Sequence, residues 1–269
     1  MYLQFYNLRE FPFTITCDPR FFYESADHAE ALANMVYTVE QRKGLVVVTG
    51  EVGAGKTLLS HVLQSRLGPT CEPALVRDPP GSGKQFIRAV ASRVGIETGG
   101  SADVLWLQEQ IEDHLVHLHN RGRVLVLVVD EAQALGPEAL EQARLLWNWE
   151  RDGARLMQIV LIGQPDLRDR LKEPRWEPLR QRVALSYHLG PLSEKDTSGY
   201  VVHRLNVASD GQGQVEFSPD ALADIHGASC GIPRQINTIC DNALLVGYAK
   251  DAHVIDTAIV GEVLRDMTL

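Results

Sequence analysis

The 269-residue chain lacks the long apolar runs of a membrane protein, and its longest strictly aliphatic run is only Val124–Val129. A helix needs roughly 20 consecutive apolar residues to cross a bilayer, so the sequence predicts no transmembrane segment. Residues 1–6 also lack the basic flank and the apolar stretch of a secretory signal. We therefore expect the chain to lie in the cytoplasm.

Cysteine and basic charge are also in short supply. The four cysteines, Cys17, Cys71, Cys230 and Cys240, form no CxxC pair, which argues against a disulfide framework and against a zinc site. The 26 basic side chains are outnumbered by 35 acidic ones, and the net charge is −9. A surface of this average charge disfavours nucleic acid and anionic membranes, although a local basic patch stays open.

The chain does contain a regular alternation of strands and helices. Apolar runs of strand length occur at Leu45–Thr49, Ala74–Val76, Val124–Val129, Met157–Ile162 and Val183–Leu189. Helix-period segments separate them at about 56–67, 83–94, 102–119, 137–150 and, in broken form, 166–181. Near-continuous aliphatic strands joined by helical crossovers are typical of a mainly parallel sheet that is covered on both faces. The fold class is therefore predicted to be α/β.

The composition shifts near Gly190-Pro191, after which the pattern becomes helical. Ser193 can cap a helix that runs to about Ser209, and further helices start at Ser218-Pro219 and Ile232-Pro233 before a fourth one ends the chain. We expect two domains: an α/β domain over 1–190, with an N-terminal linker and first helix over 1–44, and a small all-helical domain over 191–269.

A glycine-rich segment directly follows the first predicted strand and opens a helix. It matches the GxxxxGK[ST] pattern from Gly50 to Thr57, and its strand–loop–helix setting is that of a phosphate-binding loop. Backbone N–H groups would surround phosphate oxygens, Lys56 would reach the terminal phosphates, and Thr57 would offer its hydroxyl to Mg²⁺. The sequence thus predicts ATP and Mg²⁺ as cofactors. The predicted nucleotide-binding residues are Gly50, Glu51, Val52, Gly53, Ala54, Gly55, Lys56, Thr57 and Leu58.

Two adjacent carboxylates, Asp130 and Glu131, follow the strand Val124–Val129. They lie at the carboxyl end of a buried strand, which is the edge where open α/β sheets bind ligands. Adjacent residues point in different directions, so the two side chains can take different roles. We expect Asp130 to hold the Mg²⁺ and Glu131 to polarise the water that attacks the γ-phosphorus.

Together with further motifs, these segments resemble the AAA+ ATPases, and more closely the general secretion pathway A-type (ExeA-like) group. The resemblance covers essentially the whole chain. Besides Gly50–Thr57 and Asp130-Glu131, the motifs that carry it are Phe5-Tyr6-Asn7-Leu8, Pro12-Phe13, Asp18–Tyr23, His28–Leu32, Arg42-Lys43-Gly44, Leu161–Leu167 and Gly231–Arg234. Long members of the group continue into a membrane segment and a periplasmic peptidoglycan-binding region, whereas this sequence stops at Leu269. We therefore expect a stand-alone ATPase module.

The resemblance also implies roles for individual residues. Gln164 falls where the family carries a polar sensor of the γ-phosphate, and its amide would orient the attacking water. Arg234 matches the cap-domain sensor arginine of the GxPR pattern. Arg182, with Arg180 as the alternative, lies where ring-forming subunits present an arginine to a neighbour's nucleotide, which implies a homo-oligomer, either a ring or a filament.

For the biological role, the resemblance implies an ATP-hydrolysing protein whose nucleotide-driven oligomerisation supports assembly of a cell-envelope or secretion complex. A secretion-complex or membrane protein would then be the partner, and it could hold the chain at the inner membrane without insertion. The alternative is an ATP-dependent DNA-binding assembly factor of the transposition-regulator type. DNA is less favoured because of the net charge, although residues 168–182 hold six basic side chains against three acidic ones.

Overall fold

The computed structural model describes residues 2–99 and 103–267. The chain divides into two compact units, neither of which is continuous in sequence. The sheet unit contains residues 30–50 and 59–189, and the helical unit contains residues up to 29, residues 51–58, and those from 190 onward. The division of the chain into two continuous domains, 1–190 and 191–269, stays a prediction.

Nine strands and twelve α-helices lie in the described ranges. The strands are β1 (Leu45–Gly50), β2 (Cys71–Val76), β3 (Val124–Val129), β4 (Glu150–Arg151), β5 (Ala154–Arg155), β6 (Met157–Gly163), β7 (Val183–Leu189), β8 (Glu216–Phe217) and β9 (Val254–Ile255). The helices are α1 (Tyr2–Phe5), α2 (Ala26–Glu40), α3 (Lys56–Arg66), α4 (Gly83–Arg93), α5 (Val104–Asn120), α6 (Pro137–Trp147), α7 (Pro165–Leu171), α8 (Glu177–Arg180), α9 (Glu194–Ser209), α10 (Pro219–Ser229), α11 (Pro233–Ala249) and α12 (Thr257–Asp266).

The sheet unit is built on a five-stranded parallel sheet with the order β2-β3-β6-β1-β7. Val160 of β6 pairs with Val46 of β1 on one side and with Val128 of β3 on the other. Every residue of β1, β3 and β6 is buried, as expected for strands covered on both faces. The predicted α/β class with a parallel sheet is confirmed.

Helices α4, α5 and α6 pack against the sheet and against one another. Their buried side chains, such as Phe86, Ile111 and Leu140, join those of the strands in one apolar core. Helix α4 begins where the sequence offers a capping residue, since the Ser82 hydroxyl accepts a hydrogen bond from the Gln85 N–H. This core fixes the strands and therefore the positions of the polar residues that follow them.

The helical unit has its own apolar core, formed by residues of α9–α12 and of the N-terminal segment. The predicted caps are present: Ser193 accepts a hydrogen bond from the Asp196 N–H, and Ser218 accepts one from the Ala221 N–H. Pro233 occupies the first turn of α11, where a missing N–H costs nothing. The four predicted helices of this region are confirmed.

Two local expectations were wrong. Helix α6 ends at Trp147 instead of near residue 150, because a two-residue hairpin, β4–β5, follows it. Asp152 and Gly153 form its turn with φ of 52° and 74°, and an Asp-Gly pair readily adopts these left-handed angles. The region predicted to be all-helical also contains the short parallel pair of β8 with β9.

A buried arginine joins the N-terminal segment to α9. The Arg204 guanidinium donates hydrogen bonds to the carbonyl oxygens of Pro12 (2.5 Å) and Thr14 (3.1 Å) and to the hydroxyl of Tyr200 (2.8 Å). It also lies over the ring of Phe21, 4.7 Å from the centroid. Because the side chain is only 2% exposed, these groups replace water as its partners.

We expect Arg204→Leu to lower the free energy of unfolding by about 3 kcal/mol, because two buried carbonyls and one hydroxyl lose a charged donor. Urea denaturation followed by circular dichroism measures the change. Arg9→Ala is the matched control, since Arg9 pairs with Asp210 at an exposed site, and such a pair contributes less than about 1 kcal/mol. Equal losses in the two variants would contradict a stabilising role for the buried network.

Candidate functional site

The glycine-rich segment forms a tight loop between β1 and α3. Gly53 and Gly55 have φ of +84° and +91°, which are angles that residues with a Cβ atom rarely adopt. The Glu51 carbonyl accepts hydrogen bonds from the Ala54 N–H (3.2 Å) and from the buried ammonium of Lys56 (2.8 Å). A glycine-rich loop that leads from a strand into the N-terminus of a helix is the arrangement that binds phosphate in other proteins.

The start of α11 packs against the same loop. The backbone N–H of Arg234 donates to the Gly53 carbonyl at 3.2 Å, and a Cβ added to Gly53 would come within 2.7 Å of the Cβ of Arg234. The Arg234 side chain itself is exposed. A glycine is thus required at position 53 by both its backbone angle and its neighbour, and the predicted sensor arginine lies next to the phosphate loop.

A buried histidine that sequence reasoning assigned no role also contacts this loop. The His28 Nδ1 lies 2.7 Å from the Ser25 hydroxyl, and the ring forms a hydrogen bond with the backbone of Ala54. Its Nε2 is 3.8 Å from the point where a Cβ on Gly55 would lie. Burial lowers the pKa of His28, and the Ala54 hydrogen bond and the carboxylates of Asp27 and Asp196 only partly oppose that effect.

The paired carboxylates lie at the carboxyl end of β3, as predicted. Asp130 is buried, and its Oδ1 accepts a hydrogen bond from the Glu131 N–H at 2.9 Å. Glu131 has φ of 52° and ψ of 37°, a left-handed conformation that costs a residue with a side chain about 1–3 kcal/mol. Strained backbone of this kind occurs at functional sites, and here it falls on the second residue of the carboxylate pair.

Two glutamines hold Glu131. Its Oε2 accepts hydrogen bonds from the side-chain amides of Gln133 (2.5 Å) and Gln164 (3.3 Å). The structure therefore brings together Glu131 and Gln164, two residues selected from the sequence, 33 positions apart. Gln133 was missed, although an amide two residues after a carboxylate pair is a signal that could have drawn attention to it.

The two candidate arginines of residues 180–182 differ in their surroundings. Arg182 is half-buried, with its guanidinium 5.7 Å from the centre of the Trp147 ring, and it donates to the Pro178 carbonyl. Arg180 is more exposed and forms an ion pair with Glu177. Both side chains are engaged within the chain, and Arg180 lies on the more accessible surface.

The residues selected as magnesium ligands have the oxygen donors that a hard divalent cation prefers. Thr57 follows Lys56 in the first turn of α3, and Asp130 directly follows β3. In the described ranges, no group of three or more His, Cys, Asp and Glu side chains could hold a metal by itself. A hydroxyl and a single carboxylate suit a cation that also keeps water and phosphate ligands.

Comparisons with known proteins agree with this geometry. A family model described as an AAA domain matches residues 39–171. General secretion pathway protein A of Aeromonas hydrophila is 42% identical over 255 residues, which cover 95% of this chain and 46% of that protein. The chain thus spans less than half the length of this relative.

Solved structures share the fold at low sequence identity. The ORC2 protein of Aeropyrum pernix superposes with a TM-score of 0.66 at 17% identity, covering 92% of this chain and 71% of that one. The RuvB branch migration motor of Thermotoga maritima gives 0.62 at 18% identity, covering 91% and 70%. At such identities these likenesses show the fold alone.

The parallel sheet, the phosphate loop and the carboxylate pair define the class, and the chain is an AAA+ type P-loop protein. Within that class the chain belongs to the general secretion pathway A-type family, because 95% of this chain aligns with general secretion pathway protein A at 42% identity. In the described part of the chain, no helix is both long and apolar enough to cross a membrane.

The lowered pKa of His28 predicts a pH-dependent stability. In the unfolded chain a histidine has a pKa of about 6.5 and binds protons more readily below that pH than buried His28 does. The stabilisation from neutral His28 is therefore complete above the unfolded pKa of about 6.5. It is lost as the pH falls from there toward the lower pKa of His28 in the folded chain. In urea titrations at pH 7.5, 6.5 and 5.5, the stability gap between the wild type and His28→Gln should narrow steadily. A gap that stays constant would contradict this prediction.

Proposed function

We propose that the chain binds ATP with Mg²⁺ and hydrolyses it. The observation that carries the proposal is the phosphate loop, in which two glycines with positive φ join a buried strand to the N-terminus of α3. This arrangement supplies backbone donors and a partial positive charge for phosphate oxygens. Lys56, buried and directed at the loop carbonyl of Glu51, is placed to neutralise the terminal phosphates.

In this proposal the residues that follow β3 and β6 perform the chemistry. Thr57 and Asp130 hold the Mg²⁺, which supplies charge neutralisation at the phosphates when bound. Glu131 accepts a proton from the attacking water as the water oxygen bonds to the γ-phosphorus and the bond from that phosphorus to the bridging oxygen of ADP breaks, which gives ADP and inorganic phosphate; the Gln164 amide orients the water. The short distance between Glu131 and Gln164 supports their action on one water molecule.

We propose that Arg234, at the start of α11, contacts the phosphates of the nucleotide. Its backbone is already hydrogen-bonded to the loop residue Gly53, and its exposed guanidinium can donate two parallel hydrogen bonds to phosphate oxygens. The arginine at 182 or 180 acts on the nucleotide of a neighbouring subunit, so that the active form is an oligomer. The greater exposure of Arg180 makes it as strong a candidate as Arg182.

The cellular role that we propose is assembly of a secretion complex, driven by nucleotide-dependent oligomerisation. It rests on the similarity to general secretion pathway protein A along 95% of this chain. A partner at the inner membrane would localise the chain there.

DNA binding, the alternative, loses support from the ion pairs of residues 168–182. All three acidic side chains of this segment pair with basic ones: Asp169 with Lys172, Glu173 with Arg175 and Glu177 with Arg180. A fourth basic side chain, Arg170, donates inward to the Gln133 carbonyl. Little basic surplus remains there for phosphate contacts, and the net charge of the chain is −9.

We expect Glu131→Gln to keep ATP bound while the hydrolysis rate falls by about 100-fold or more, because the amide cannot accept the proton. Equilibrium binding of a fluorescent ATP analogue and a phosphate-release assay measure the two effects separately. Lys56→Ala is the control that should lose binding itself. Wild-type turnover by Glu131→Gln would remove Glu131 from the catalytic role.

A second experiment tests the arginine in trans. Arg182→Ala, Arg180→Ala and Glu131→Gln are each assayed alone and then in pairwise mixtures. If one arginine serves the neighbouring site, a mixture of its alanine variant with Glu131→Gln should recover about a quarter of the wild-type rate, since some interfaces then pair two intact residues. Confirmed co-assembly without recovery for either arginine would show that both act only within their own chain.

A further inference from the structure

Gln133 occupies the centre of a closed hydrogen-bonded ring at the carboxyl edge of the sheet. Its side-chain NH₂ donates to Glu131 Oε2 at 2.5 Å, and its Oε1 accepts from the backbone N–H of Gln164 at 2.9 Å. The Gln164 side chain closes the ring by donating to the same Glu131 oxygen at 3.3 Å. One side chain thus links the end of β3 to the end of β6.

The packing around this amide leaves it little freedom. A Cβ added to Gly163, the last residue of β6, would come within 2.7 Å of Gln133 Oε1 and 3.2 Å of the Gln133 backbone nitrogen. The Gln133 carbonyl accepts a hydrogen bond from Arg170 of α7 at 3.2 Å, which holds the backbone from the other direction. The amide oxygen is thus held by the Gln164 N–H beside Gly163, and the backbone is held by Arg170, in both cases without Glu131.

The chemistry of an amide suits this position. A glutamine offers a donor and an acceptor at once, and the ring uses the donor for a carboxylate and the acceptor for a backbone N–H. A glutamate would keep the acceptor but would place a second carboxylate against Glu131. A shorter asparagine would lack the reach to both partners. The Gln133 amide restrains the Glu131 carboxylate through the shorter of the two hydrogen bonds that Glu131 Oε2 accepts from glutamine side chains.

We propose that Gln133 is a positioning residue that holds the carboxylate of Glu131 at a fixed place beside the Gln164 amide, and so sets the rate of proton transfer from the attacking water. This inference rests on the proposed function of Glu131. Gln133 acts through Glu131 and Gln164 and leaves the phosphate loop untouched. Its removal should therefore lower kcat and leave the KM for ATP nearly unchanged.

The test compares Gln133→Glu and Gln133→Met with the wild type in the 269-residue chain, using Mg-ATP and measuring kcat and KM separately. The methionine variant keeps the length of the side chain but loses both hydrogen bonds, and its kcat should fall about tenfold with KM within twofold. The glutamate variant keeps the acceptor for the Gln164 N–H but replaces the donor to Glu131 by a like charge, so its kcat should fall at least as far, again with KM within twofold.

Gln142→Glu is the matched control. Gln142 also accepts a hydrogen bond through its amide oxygen, from Gln108 at 3.0 Å, and it lies half-buried on α6 of the same unit. The same substitution there introduces the same charge, and its kcat and KM should both follow the wild type. A purely structural effect at position 133 would raise KM more than twofold along with the loss of kcat, and that result would overturn the positioning role.

Glu131→Gln, assayed in parallel, distinguishes a failure of the role proposed for Gln133 from a failure of the role proposed for Glu131. If it is impaired and both Gln133 variants keep the wild-type kcat, the role of Gln133 is overturned while that of Glu131 stands. If Glu131→Gln turns over normally, the proposed base is wrong, and an altered Gln133 variant would then act through another group. A third variant, Gly163→Ala, crowds the Gln133 amide without changing any polar group, and it should reproduce the kcat loss of Gln133→Met.

Discussion

The parallel pairing of β6 with β1 and β3 is the constraint on which the site depends. These strands are buried along their whole length, so their side chains are apolar except for Thr49 of β1 and Gln158 of β6. Polar chemistry is therefore displaced to the positions just beyond their carboxyl ends. Since the strands run in the same direction, those positions share one edge of the sheet. The carboxylate pair after β3 and Gln164 after β6 meet there for this reason.

Much of this arrangement could be predicted from the sequence because it depends on local pattern. The aliphatic runs marked the strands, the serine and proline residues marked helix starts, and the strand–loop–helix context made the glycine-rich segment specific. The β4–β5 hairpin was missed because the helix was predicted to run to about residue 150, where the hairpin begins, although the Asp152-Gly153 turn carried a clear signal. The domain boundary and the individual site roles remain predictions.

The rest of the site depends on contacts between residues far apart in the chain. His28 lies 26 residues before Ala54, and nothing in the local pattern of α2 shows that its ring reaches the phosphate loop. The left-handed φ of Glu131 likewise could not be predicted, because the position holds neither glycine nor asparagine, the residues that usually adopt this conformation. Gln133 gains its importance only once β3 and β6 are adjacent. These features follow from topology, which a single sequence specifies only through the complete fold.

The buried guanidinium of Arg204 also bears on how this protein can be divided for experiments. The AAA-domain match begins at residue 39, and a fragment started there would omit Pro12, Thr14 and Phe21. Such a fragment would retain a cation in an apolar core with its main acceptors removed, and it would expose the apolar side chains that the N-terminal segment covers. A polypeptide that starts at residue 39 and continues through α9 would therefore be aggregation-prone. The first two dozen residues belong in any truncated version intended for crystallisation or binding studies.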